Sequence, residues 1–191
     1  MTNKTITYPI ETARLYLRPY ENDDLEDLHN FYSRPDVARY LYWEAKDLEG
    51  TRESLTLKKR NTKLAGANSA LVLAAVLQET GVLIGEVMLF LRSVEHRQGE
   101  IGFVFNPDYH GRGYATEAAK VILRIGFENA RLHRIYGRCD PRNNGSYRLM
   151  ERLGMRKEAH FVHNEIFKGE WGDELYYAIL ENEWRAKYGG E

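Results

Sequence analysis

The sequence predicts an α/β (α+β) fold: three layers, with a mixed central sheet of about seven strands and helices on both faces. Three observations predict it. Runs with apolar residues at every second position alternate with runs at helical spacing, in the order β-α-α-β-β-β-α-β-α-β-β. Three consecutive strands in the middle call for antiparallel pairing, and the later strands that follow helices allow parallel pairing, which makes the sheet mixed. A chain of 191 residues, 43% of them hydrophobic, buries on the order of 70% of its unfolded surface and needs no disulfide or structural metal to hold its core. The five prolines and sixteen glycines are dispersed, so a single domain over 1–191 is expected, with its core at about 12–180.

The elements follow in order. Arg14 to Arg18 alternates as an edge or half-buried strand, and Pro19 stops it. Asn22-Asp23-Asp24 offers capping side chains to a helix whose Leu25, Leu28, Phe31 and Tyr32 fall at helical spacing. A second helix is expected over Leu48 to Ala65, ending near Gly66. Ala70 to Leu77 and Val82 to Leu91 are β-rich and flank Gln78-Glu79-Thr80-Gly81, a hairpin turn. Glu100 to Phe105 is the next strand, closed by Asn106-Pro107-Asp108. Gly113 to Ala130 reads as a long helix with Ala115, Ala119, Ile122, Gly126, Phe127 and Ala130 on one face. Ala118, Val121 and Ile125 widen that face, the pattern of a helix buried on more than one side. Leu132 to Cys139 is a strand, Asn143 to Leu153 a helix ending at Gly154, and Arg156 to Phe167 with Glu174 to Leu180 two final strands.

Composition narrows the function. Lys and Arg number 27 against 28 Asp and Glu, a net charge of −1, so no global field holds a polyanionic nucleic acid. Cys139 is the only cysteine, and the six histidines include no pair at metal-ligand spacing, so no metal site is expected. A lone cysteine fits a reducing, cytoplasmic setting. Met1 to Leu15 lacks the apolar run of a leader, and no stretch reaches the ~18 apolar residues of a membrane span.

The sharpest local signal is His110-Gly111-Arg112-Gly113-Tyr114-Ala115-Thr116, between a strand and a long helix. Glycines without a Cβ let backbone N–H groups converge on an oxyanion, and the helix N-terminus adds about half a positive charge. A phosphate or pyrophosphate is the natural guest; the plain alternative is a glycine-rich turn that merely starts a helix. A nicotinamide-dependent oxidoreductase is disfavoured, because Thr116 stands where a dinucleotide fingerprint needs its third glycine. No Lys-Ser/Thr pair follows to make a nucleoside-triphosphate loop.

These residues resemble the GNAT superfamily of acetyl-coenzyme A-dependent N-acetyltransferases. The family's phosphate motif is Gln/Arg-x-x-Gly-x-Gly/Ala, matched here at Gly113 and Ala115, with His110 departing from the usual first residue. Tyr114-Ala115-Thr116-Glu117-Ala118 and the opening Glu11-Thr12-Ala13-Arg14-Leu15-Tyr16-Leu17-Arg18-Pro19 resemble the branch containing ribosomal-protein N-terminal acetyltransferases and related drug acetyltransferases. Asn143-Asn144-Gly145-Ser146, running on to Gly154-Met155, is similar to the family's Asn-x-x-Ser helix and the Gly-Phe pair after it. The conjunction of three blocks in order is the specific feature.

The resemblance implies a sheet that splays after the fourth strand. It implies acetyl-coenzyme A as co-substrate, its pantetheine arm on Phe103, Val104 and Phe105 and its pyrophosphate on the amides from His110 to Thr116. Asn143 would bond the arm, and Arg112 or Arg148 would meet the 3′-phosphate. Direct attack by a neutral amine needs a base and an acid. Many relatives use a tyrosine as the acid where Met150 stands here, so Ser146 and then Tyr147 are the substitutes; the alternative for Ser146 is hydrogen bonding at a helix end. Glu86 and Glu100 are the base candidates, each equally readable as an ordinary strand residue, and His110 is a weaker one. Cys139 reads as core, with no covalent step.

The resemblance places the acceptor between about Phe31–Ala65 and Phe161–Trp171. Tyr40, Tyr42, Trp43, Phe161, Phe167 and Trp171 make that region aromatic. Glu44, Asp47, Glu49, Glu165, Glu170 and Asp173 are acidic enough to attract a cationic amine or simply to form a solvated rim. The expected acceptor is a small-molecule amine or a protein N-terminus. The alternative, motivated by Met150, is an inactive module that binds or senses acyl-coenzyme A. Tyr176 and Tyr177 would serve either a homodimer or the core.

Overall fold

The computed structural model describes residues 6–189. The expectations for Met1 to Leu15 and for one domain over 1–191 extend to residues 1–5, 190 and 191, which lie outside the described residues. The strands are β1 (Ile10–Glu11), β2 (Leu15–Arg18), β3 (Ala70–Leu77), β4 (Leu83–Ser93), β5 (Gln98–Phe105), β6 (Arg134–Cys139), β7 (Arg156–Phe167) and β8 (Glu170–Leu180). They form a single sheet in the order β1-β2-β3-β4-β5-β6-β8-β7. The two-residue β1 is the strand beyond the expected seven, too short to show a period. The pairs are antiparallel except β5–β6, which is parallel.

The helices are α1 (Leu25–Tyr32), α2 (Pro35–Ala38), α3 (Leu48–Arg60), α4 (Tyr114–Arg124), α5 (Asn144–Arg152) and α6 (Glu181–Tyr188). On one face, Val72, Ala74, Val76, Leu83 and Val104 of the sheet pack against Leu28, Phe31 and Leu55 of α1 and α3. On the other, Leu73, Ala75, Val87, Leu89 and Ile101 pack against Ala118, Ile122 and Phe127. β3 is therefore buried along its whole length, which explains why Ala70-Leu71-Val72-Leu73-Ala74-Ala75-Val76-Leu77 is apolar throughout rather than alternating.

Some boundaries differ from the sequence reading for identifiable reasons. α3 ends at Arg60 rather than Ala65, because the chain turns into the sheet edge: Asn61 accepts from the Val72 amide, and Thr62 bridges to Leu71. The expected helix to Ala130 changes at Ile125 into a π-helical turn, Ile125–Asn129. A Cβ on Gly126 would lie 2.5 Å from Ile135 Cδ1, so this turn is pressed directly on the sheet. α2 has four residues, too few to show a period. α6 starts where Glu183 accepts from the Leu180 amide at 2.7 Å, and Trp184 stacks on Phe127 with centroids 5.4 Å apart.

The splay falls where the resemblance implies it. β5 and β6 pair only from Gln98 to Glu100 against Arg134 to Tyr136. Beyond that point Ile101–Phe105 pairs with β4 alone and Gly137–Cys139 with β8 alone. The two strands leave facing edges unpaired, and a cleft opens between them.

Candidate active site

The cleft has a volume of about 1400 Å3 and runs from the splay to the start of α4. Ile101 to Phe105 form one wall; Cys139, Asn143, Ser146 and Met150 form the other. Gly137 allows the walls to close at the base, since a Cβ there would lie 2.6 Å from Met150 Sδ and 3.2 Å from Ile101 Cγ2. Met150 is thus a buried apolar wall that cannot move a proton.

His110 to Thr116 rims one end. Gly111 and Gly113 have φ of 75° and 83°, a left-handed backbone that favours glycine. Gly113 is the N-cap of α4. Among the described residues, no protein acceptor takes the amides of Gly111 to Thr116, the first capture being Glu117 N to Gly113 O. Free amides at a helix start are a ready anion cradle. His110 also lines the cleft, and its ring ties the loop to β5, with Nε2 3.0 Å from the Phe105 carbonyl; since a carbonyl only accepts, that nitrogen carries its proton.

The N-terminal block holds the same loop. Glu117 accepts from Thr12 Oγ1 at 2.6 Å and from the Arg14 amide and Nε at 2.8 Å each, while Arg14 Nη1 donates to the Arg112 carbonyl at 2.8 Å. The Arg14 guanidinium also lies 4.5 Å from the centroid of the Tyr114 ring. Burial works against ionisation of Glu117, but the hydrogen bonds from Thr12 and Arg14 hold its carboxyl below the usual range. Two of the three sequence blocks are thus one structure.

The third block starts α5. Asn143 Oδ1 accepts from the Ser146 amide at 3.2 Å, so Asn143 is the cap of α5 and also faces the cleft with Ser146. Tyr147 does not line the cleft: its hydroxyl donates to Asn144 Oδ1 at 2.9 Å. The side chains of Arg112 and Arg148 are also absent from the cleft wall, and both are exposed. Lys120, Arg124 and Arg152 line it instead, with Arg152 Nε 3.3 Å from Thr116 Oγ1. Thr116, Lys120 and Arg124 repeat every four residues, a polar stripe beside the apolar face that the sequence reading passed over.

The base candidates separate sharply. Glu86 is fully buried away from the cleft on the α1–α3 face. It accepts from Tyr20 and Tyr32 hydroxyls at 2.8 and 2.7 Å and pairs with Lys58 at 2.7 Å. Both its oxygens are thus taken by partners on the helix face, outside the cleft. Glu100 does line the cleft, with Arg92 Nε on one oxygen at 2.7 Å and Arg138 Nε on the other at 3.0 Å.

Beside the cleft is a cavity of about 90 Å3 lined by Tyr42, Glu100, Arg138, Asp140, Glu165, Phe167, Asp173 and Glu174, with Cys139 at its edge. Arg138 Nη1 donates to Glu174 Oε1 at 2.9 Å, and Asn164 to its other oxygen at 2.9 Å. Burial raises the proton affinity of Glu174 and outweighs Arg138. The Cys139 thiol is pushed up to about 11, chiefly by burial, so it stays protonated at neutral pH.

Of the aromatic residues expected around the acceptor, Tyr40 and Tyr42 line the cleft and Phe167 the cavity. Trp43 instead packs on Tyr32, Phe161 on Tyr176, and Trp171 is 61% exposed. Of the acidic residues, Glu165 and Asp173 reach the cavity; Glu44 pairs with Lys168, Asp47 caps α3, and Glu49 pairs with Arg52. Tyr176 stacks on Tyr136, and the buried Tyr177 donates to Glu151 at 3.0 Å, so both contribute to packing within the chain. Glu174 and Asp140 were missed: Glu174 lies within β8 and Asp140 just past the end of β6, and neither sits in a motif.

A family model described as an acetyltransferase (GNAT) domain matches residues 14–156. The chain is 39% identical over 175 residues to an uncharacterized N-acetyltransferase, YnaD, of Bacillus subtilis (strain 168), covering 92% of this chain and 98% of that one. It is 26% identical over 172 residues to the spermidine N(1)-acetyltransferase of Escherichia coli (strain K12), covering 90% and 89%. Among solved structures, an acetyltransferase (GNAT family) from Bacillus anthracis superposes with a TM-score of 0.81 at 38% identity, over 91% of this chain and 98% of that one. Spermidine N-acetyltransferase from Vibrio cholerae, in complex with CoA and spermine, superposes with a TM-score of 0.75 at 25% identity, over 91% and 99%.

Proposed function

The chain belongs to the GNAT acetyltransferase family, and from that premise we propose that it transfers the acetyl group of acetyl-coenzyme A to a primary amine of a small cationic molecule. The observation that carries the amine assignment is the carboxylate-lined cavity, which shares Tyr42, Glu100, Arg138 and Cys139 with the cleft. Carboxylates concentrate cations, and a cavity of about 90 Å3 suits a slender alkylamine better than a folded polypeptide end. The relatives named for spermidine point the same way, so a small-molecule amine is preferred to a protein N-terminus.

The residues present fit the co-substrate. The free amides of Gly111 to Thr116 suit a pyrophosphate, and the unpaired edge at Phe103, Val104 and Phe105 suits an extended amide-bearing arm. Asn143 keeps its Nδ2 donors for that arm, and Lys120, Arg124 and Arg152 suit a further phosphate. Bound there, acetyl-coenzyme A supplies the activated acyl group. Ser146, on the wall beside the splay, passes a proton from Oγ to the sulfur and takes one back from the solvent that reaches the open cleft. Glu174, whose proton affinity burial raises, receives the proton the acceptor must lose and in turn releases it to that solvent. Glu100, with both oxygens held by arginines, orients Arg138.

Calorimetry with acetyl-coenzyme A and a thiol-release assay across an amine panel test this reading. Thr116→Glu puts a carboxylate in the first turn of α4, where it favours the helix but repels a phosphate. The expected outcome is at least tenfold weaker binding with an unchanged melting temperature. Equal binding by the variant would remove the pyrophosphate assignment, and thiol release with peptides but not alkylamines would remove the acceptor assignment.

A further inference from the structure

The carboxylates of the small cavity are not equivalent. Glu100 and Glu174 have both oxygens occupied, Arg138 reaching one on each, with Arg92 and Asn164 on the others. Asp140 is taken on both oxygens by Arg142. Asp173 accepts from the His160 ring at 2.9 Å and the His163 amide at 3.0 Å. Glu165 differs: among the described residues its partner is the neutral Tyr42 hydroxyl on Oε1, and its other oxygen has none. Arg138 in turn is a cation of the wall itself, bridging Glu100 of β5 to Glu174 of β8 across the splay and lining both cleft and cavity.

We propose that Arg138 is the specificity-determining residue for the acceptor. As a tethered cation it fills the place between Glu100 and Glu174 that a further ammonium of a polyamine would take, leaving Glu165 to hold one ammonium. Discrimination then comes from a repulsive element as well as an attractive one: the guanidinium opposes a second ligand cation beside it, while Glu165 rewards the first. This rests on the small-amine reading above. It predicts a charge ladder with one rung. A diamine binds better than a monoamine of the same length, and a triamine gains nothing more.

The test uses the full-length protein with n-butylamine, 1,4-diaminobutane and spermidine, reading kcat/KM for acetylation and, separately, amine dissociation constants by calorimetry on the protein alone. Wild type is expected to favour the diamine over the monoamine about tenfold and to treat diamine and triamine alike. Arg138→Gln vacates the place between the carboxylates, so the triamine-to-diamine ratio is expected to rise about tenfold, in KM rather than kcat and in the calorimetric constants alike. Any change in the proton affinity of Glu174 acts on all three amines and cancels in the ratio. Arg138→Lys, which keeps a cation that reaches only one carboxylate at a time, is expected to shift the ratio less, in the same direction, and serves if the glutamine variant does not fold. A ratio unmoved in both variants overturns the role of Arg138 while leaving the acetyltransferase reading intact. Wild-type activity confined to peptide amines overturns both.

Discussion

At the scale of single residues, the clearest contrast is between two glutamates on neighbouring strands. Glu86 and Glu100 look alike in sequence, each a carboxylate in a β-rich run, yet one is enclosed by Tyr20, Tyr32 and Lys58 and the other lines the cleft. A buried carboxylate that loses its cation costs about 3–5 kcal/mol. Lys58→Met is therefore expected to lower stability by about 3 kcal/mol in urea denaturation, without changing affinity for acetyl-coenzyme A. A variant of unchanged stability, or one that loses co-substrate affinity while folded, would return Glu86 to the site. Gly137 offers a second check. Adding a methyl 2.6 Å from Met150 Sδ overpacks the base of the cleft, at about 1–3 kcal/mol. Gly137→Ala is expected to destabilise by that order, with Met150→Ala in the same chain restoring part of the loss in a thermal melt.

At the scale of elements, the small cavity proposed for the acceptor depends on one latch. The β7–β8 turn places Lys168 in a left-handed conformation with φ of 50°. Its Nζ reaches the Ala38 carbonyl at 3.0 Å, the Trp43 carbonyl at 3.3 Å and Glu44 at 3.0 Å. Tyr42 adds an edge-to-face contact on Phe167 and the hydroxyl on Glu165. The hairpin and the segment after α2 therefore enclose the cavity only together. Lys168→Met leaves the hairpin paired but unlatched, so hydrogen exchange over residues 39–47 is expected to quicken and the acceptor KM to rise several-fold, with acetyl-coenzyme A affinity held. Unaltered exchange would show the latch to be idle. The sequence already gathered Tyr42, Glu44, Glu165 and Phe167 into the two segments expected around the acceptor. The Lys168 latch was not legible, because two of its three partners are main-chain carbonyls, which have no residue code. What was legible were elements whose apolar spacing is set by one packing partner. α4 and the β3–β4 hairpin emerged near their observed bounds, while α2 and β1, too short to carry a period, did not.

At the scale of the molecule, the sequence carried the cradle further than it carried the acceptor site. Gly111 and Gly113 were readable because their left-handed backbone needs glycine, and Asn143 because a helix start needs a cap. The cavity draws Tyr42, Glu100, Arg138, Glu165 and Glu174 from segments spread over more than a hundred residues of chain, and only the closed sheet brings them together. That closure also sets the response to acid. Glu158 is held below the usual carboxylate range by hydrogen bonds from Arg134 and Arg156. At Glu117 and Asp140 burial opposes ionisation, but Arg14 with Thr12, and Arg142, outweigh it. A carboxyl group with a depressed folded pKa contributes stability above its unfolded value, near 4.5 for Glu and 3.8 for Asp, and loses it as pH falls through the folded value. Glu174 has the opposite sign: raised by burial, it costs stability as it ionises and relieves that cost in acid. With Asp36 and Asp173 also lowered by hydrogen bonds, five depressed carboxylates among the described residues against one raised predict a urea midpoint that falls below about pH 4.5. Glu117→Gln, which keeps an acceptor for Thr12 and Arg14 but cannot ionise, is expected to start lower at pH 7 and fall less steeply. A parallel fall in variant and wild type would mean that Glu117 does not couple the N-terminal segment to the cradle by its charge.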